Sequence, residues 1–116
     1  MAYAKRKNTY VNILEGRENI KPDEIMKKYP DGIHITGASV VKSRNGEVGA
    51  FIFKEDVDKF FFGGKVLTDM LNDWIKEAGN VSALNEKLPV DLPLMKLTWE
   101  TSKTGNKYLD CEVIEQ

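Results

Sequence analysis

Few residues in this chain could do covalent or acid–base chemistry. It holds one histidine, His34, and one cysteine, Cys111. A zinc site would need several histidines, cysteines or carboxylates at a recognisable spacing, and none is present. A Cys111–His34 nucleophile pair is conceivable. However, Cys111 falls on the apolar face of a strand, where a free cysteine behaves as a small hydrophobe, and His34 reads as a strand surface residue. Gly63-Gly64-Lys65 lies between a strand and a helix, a place where helix amides and a lysine attract anions. A phosphate loop also needs upstream glycines and a Ser or Thr directly after the lysine. Val66 follows instead, so the glycines read as a turn. Glu55, Asp56 and Asp58 form an acidic turn without the calcium-loop pattern. The expectation is a chain that is not an enzyme and needs no metal or cofactor.

The remaining chemistry is recognition by charge and by rings. Lys42 and Arg44 flank one hairpin turn, and Lys103 and Lys107 flank another. Lys54 ends a strand, Lys59 begins the next, and Lys96 sits on the polar face of a later one. Lysines so placed can track a phosphate backbone with salt-dependent affinity, although surface strands also carry lysine to guard their edges. Base stacking needs exposed rings beside them and contributes roughly 1–3 kcal/mol per base. Phe51 and Phe53 share one face of a strand, and Val48, Ala50 and Ile52 share the other. The second set reads as a complete core face, leaving Phe51 and Phe53 free to face outward. Packing of these two rings under a helix or the N-terminal segment is the alternative. Phe61 opposes Phe60 and Phe62, so one face must present a ring. Tyr108 shares a polar face with Asp110 and Glu112. Trp99 shares the face of Met95 and Leu97, which favours the core.

The elements that must position these residues follow from periodicity and turn chemistry. Residues 1–8 read as a basic arm, and Thr9 to Leu14 as a short strand before a polar loop. Pro22 opens a short helix to Tyr29, with acids at its start and lysines at its end. Ile33 to Lys42 is a strand containing Gly37, a mark of a bulge or bend. Asn45-Gly46 suits a type I′ hairpin turn, and Glu47 to Lys54 returns. Lys59 to Phe62 is a third strand. Leu67, Met70, Leu71, Trp74, Ile75 and Ala78 then make one apolar stripe on a helix, Val66 to Ala78, stopped by Gly79-Asn80. Val81 to Pro93, with Pro89 and Pro93, reads as a connector. Leu94 to Thr101 and Tyr108 to Ile114 alternate with period two, which implies one buried face each.

The chain of 116 residues has 41% hydrophobic and 30% charged residues and a formal net charge of −1. That fits one globular domain with a real core. Neutrality overall does not decide for or against nucleic acid, because a local basic face is what counts. One cysteine precludes an intramolecular disulfide, and no apolar run approaches the roughly 20 residues of a membrane span. A cytoplasmic protein is expected.

The order β-β-β-α-β-β is that of the five-stranded OB barrel. The expected fold is mainly β, with one or two helices. Residues 1–31 form an arm and short helix packed on a barrel of residues 32–116, in a single compact domain. The element order, the hairpin at Asn45-Gly46 with Lys42 and Arg44, the aromatic second strand and the closing segment from Lys103 to Val113 resemble OB-type single-stranded DNA-binding proteins. The small versions carried by phages and mobile elements are the best likeness. The resemblance implies single-stranded DNA binding without sequence specificity, in replication or recombination. By position it implicates Lys42, Arg44, Phe51, Phe53, Lys54, Phe61, Lys103, Lys107 and Tyr108. It also makes a homo-oligomer plausible. The alternative is an OB-like module that binds protein and not nucleic acid.

Overall fold

The computed structural model describes residues 14–44 and 46–114. The basic arm, nearly all of the expected strand Thr9–Leu14, and Asn45 therefore lie outside the described residues. Six strands and three helices follow in the order β1 (Glu18–Asn19), α1 (Pro22–Lys28), β2 (Ile33–Ser43), β3 (Gly46–Phe53), β4 (Lys59–Phe62), α2 (Lys65–Ala78), α3 (Val81–Asp91), β5 (Leu94–Thr101) and β6 (Lys107–Ile114). The molecule is mainly β, built on one open mixed sheet in the order β1-β4-β3-β2-β5-β6.

The long strand β2 organises the sheet. It pairs antiparallel with β3 along most of its length, and at its start it pairs antiparallel with β5 through Ile33–Met95 and His34–Leu94. Between Ile35 and Gly37 the register slips, leaving Thr36 as the extra residue of a bulge. The slip has a packing purpose. Before it the odd residues Ile33 and Ile35 face the core; after it the even residues Ala38 and Val40 do. Without the bulge, half of this strand would turn its apolar side chains away from the core. At Gly37 a Cβ would lie 2.8 Å from Ile52 Cδ1 and 2.9 Å from Asn85 Oδ1, so a larger residue would have to push those side chains aside.

The outer edge of β4 pairs in parallel with the two-residue β1, a pairing the sequence pattern does not disclose. Among the described residues β4 and β6 share no ladder, so the sheet stays open where a closed barrel would join them.

Helix α2 lays Leu67 and Leu71 fully into the core, as its stripe requires. The Thr68 hydroxyl accepts the Gly49 N–H at 2.8 Å, tying helix to strand. Gly63 lets the chain leave β4 at close quarters: a Cβ there would meet Leu67 Cβ at 2.5 Å.

The expected connector from Val81 is instead helix α3. Asn80 caps it by accepting the Ala83 N–H, Leu84 and Leu88 are buried, and Pro89 lies inside its last turns, where it supplies no N–H to the Asn85 carbonyl.

Candidate nucleic-acid interface

The alternation of β3 is as read from the sequence, but its faces are exchanged. Phe51 and Phe53, expected to stack bases, are completely buried, and Phe61 of β4 is buried beside them. Phe51 stacks on Phe61 with ring centroids 5.3 Å apart and meets Trp74 edge-on. Phe53 tilts against Phe61 and takes the edge of Tyr29. These rings join the core with Leu67 and Leu71. The side with the most volume to fill, under α2, takes the largest side chains. The three phenylalanines are core residues and offer no surface for stacking.

The opposite face of β3 and β4 is largely covered as well, with Phe62 left open on it. Cross-strand pairing places Ala50 against Phe62 and Ile52 against Phe60, with Ser39 and Gly37 of β2 next in each row and Val48 against Val41 in another. Ser39 and Ala50 at its centre are covered. Phe62 remains 37% exposed, and Phe60 packs edge-on against it, centroids 5.2 Å apart. The sequence carries a hint of this arrangement in the paired Phe60 and Phe62. Trp99, expected in the core, also proves open. It is 44% exposed at the far end of the inward face of β5, where its indole N–H donates to Asp23 of α1.

The basic residues are not gathered at one edge. Lys54 follows the end of β3, and Lys42 and Arg44 sit at the tip of the β2–β3 hairpin, all exposed. Lys42 stands opposite Glu47 there. Lys103 and Lys107 are exposed at the β5–β6 tip. From the shared pairs Ile33–Met95 and His34–Leu94, β2 and β5 run antiparallel, so the two hairpins leave that point in opposite directions along their strands. Tyr108 is partly exposed, but its cross-strand partner is Glu100, and Asp110 and Glu112 follow on its face. The expected groove between two neighbouring basic loops, with Phe51, Phe53, Phe61 and Tyr108 between them, is therefore not assembled.

No family model, curated protein or solved structure matches this chain.

A polar pair that residue spacing does not reveal lies at the start of β2. Glu55 accepts the His34 backbone N–H at 2.8 Å with one carboxylate oxygen, and its other oxygen sits 2.6 Å from His34 Nδ1. The turn read as solvated thus holds a partly buried hydrogen-bonded pair. Burial pushes the Glu55 pKa up, but the hydrogen bonds from His34 outweigh it and leave the carboxyl below its ordinary 4.5. Glu55 takes the ladder position that β3 vacates as it turns away, so the pair is accounted for structurally. Cys111 packs against Met70, sulfur to sulfur at 3.6 Å, and burial pushes its thiol up to about 11. That is the inert packing residue its place on the strand implies. Lys65 reaches Asp69 one turn along α2.

Proposed function

We propose that this chain binds single-stranded DNA without sequence preference, at the open Phe62 ring on the face of β3 and β4 opposite the phenylalanine core of an OB-like sheet. Two features support the OB-like reading. The central strand β2 pairs with both β3 and β5, and helices α2 and α3 separate the third and fourth strands of that set, where that barrel carries its helix. The single observation that carries the binding proposal is Phe62, an exposed ring on the outward side of the third of those strands, beside the apolar Ile52 and Val48. In this proposal Phe62 supplies stacking, while Lys54 and the hairpin-tip Lys42 and Arg44 hold phosphates. Phe51, Phe53 and Phe61 serve only to shape the sheet.

The test is polarisation of a labelled oligo(dT) with the full chain at low and high salt. Binding should weaken steeply with salt. Phe62→Ala should weaken it roughly tenfold, within the range of one lost stack, in a protein that still melts cooperatively. A flat salt response, or full affinity in Phe62→Ala, overturns the proposal. A second reading, a protein-binding module on the same sheet, is favoured by the acidic neighbours of Tyr108 and the diverging basic tips. Salt-insensitive capture of a protein partner without oligonucleotide binding would establish it.

A further inference from the structure

The geometry points to Trp99 as a second stacking platform for single-stranded DNA, on the face of the β5–β6 hairpin opposite Tyr108. Tryptophan is highly buried on average, yet Trp99 is 44% exposed and is held in place all the same. Its indole N–H donates to the Asp23 carboxylate of α1. That bond lies in the ring plane, at the ring's edge, and does not occupy the face on which a base would lie. A ring fixed in advance loses little freedom when it stacks. The inference rests on the single-stranded DNA reading but not on Phe62, which lies on the other face of the sheet.

The two faces of the hairpin differ in charge. Strand pairing sets Trp99 against Leu109 and Thr101 against Lys107. Trp99, Thr101 and Lys107 therefore share one face, with Lys107 at the diagonal position that a long side chain spans. Of the residues of β5 and β6, that face holds Lys107 and no carboxylate. The opposite face sets Glu100, Asp110 and Glu112 against Lys96 alone, and there Asp110 accepts the Cys111 N–H at 2.7 Å. A phosphate chain is thus repelled beside Tyr108 and admitted beside Trp99. The turn beyond is firm: the Ser102 N–H donates to Asn106 O at 2.8 Å, and Ser102 Oγ accepts the Asn106 N–H at 3.2 Å. It carries the exposed Lys103 on a fixed tip. Lysine is depleted in protein–protein contacts, whereas a ring beside lysines is what single-strand binding uses.

The test follows tryptophan emission of the full chain as an oligo(dT) of about 16 nucleotides is added, the upper end of the range for one such fold. Polarisation of the same labelled oligonucleotide gives the affinity. Stacking should quench the emission. Trp99→Ala should abolish the quenching, leaving Trp74 to report, and weaken binding roughly tenfold. Trp99→Phe keeps a ring and loses the Asp23 bond, so it should keep most of the affinity; a role through that bond alone would not be rescued. Lys107→Ala should lower the salt slope by about one phosphate contact. Binding that leaves the emission unchanged, or full affinity in Trp99→Ala, overturns this inference and leaves the Phe62 site standing. Quenching with full affinity in Phe62→Ala overturns that site and leaves this one. No oligonucleotide binding at all overturns both.

Discussion

His34 and Glu55 lie 21 positions apart and act as one unit: a single carboxylate holds both the backbone and the ring of the histidine. The sign of the pH effect follows. Folding lowers the Glu55 pKa below 4.5, so the folded state favours the charged form. The stabilisation is present above that pH and is lost as pH falls through 4.5 and below. Glu55→Gln should cost about 1 kcal/mol at neutral pH, since a charge-assisted bond becomes an ordinary one. It should also flatten the fall in melting temperature between neutral and acidic pH. Thermal melts of both proteins across that range check this. An equal acid sensitivity in the variant would show that other carboxylates govern it. The sequence could not disclose this pair, because nothing in local spacing links a strand residue to a turn beyond the returning hairpin.

Asn85 shows an element doing the work of its neighbour. Its amide accepts the Ala38 N–H at 2.8 Å and donates to the Ala38 carbonyl at 2.7 Å, the two bonds an adjoining strand would make. Helix α3 thereby seals the side of β2 that β5 leaves uncovered past His34. Asn85→Ala leaves both groups unpaired in a partly buried place and should cost about 2 kcal/mol or more. Denaturant unfolding should show a lower midpoint at unchanged slope. Much of the architecture was legible: the helix Pro22 onward, the strands Lys59–Phe62 and Leu94–Thr101, and the amphipathic α2 all emerge from pattern and capping. Helix α3 did not, because Pro89 and Pro93 read as breakers when only the isolated pattern is weighed. The faces of β3 did not either. Val48, Ala50 and Ile52 are apolar, and so are Phe51 and Phe53, so period two gives the alternation and not its direction. That ambiguity carried the aromatic half of the expected site into the core.

At the scale of the whole molecule, residues 18–31 share the core of the sheet. Ile20 and Ile25 lie in the same buried cluster as Leu97 and Leu109 at the other end of the chain, and the Ile20 N–H bonds to Phe60 O at 2.8 Å. Residues 18–31 and the sheet should therefore unfold together. Fluorescence of Trp74 and Trp99 and far-ultraviolet circular dichroism should give one coincident transition. Ile25→Ala should lower stability by about 3 kcal/mol and shift both signals equally. A separate early transition on removing the Ile25 side chain would show two independent units.

The hydrogen bond from the Cys111 N–H to the Asp110 carboxylate has a consequence beyond its own rung. β6 has eight residues and among the described residues pairs on one side only, and a strand edge left open in that way is a template for fibre growth. The aspartate occupies one of the amides on which an incoming chain would have to start, and it brings a negative charge to the same spot. At high protein concentration such a stopper matters, because proximity alone would otherwise knit neighbouring copies into a continuous ribbon.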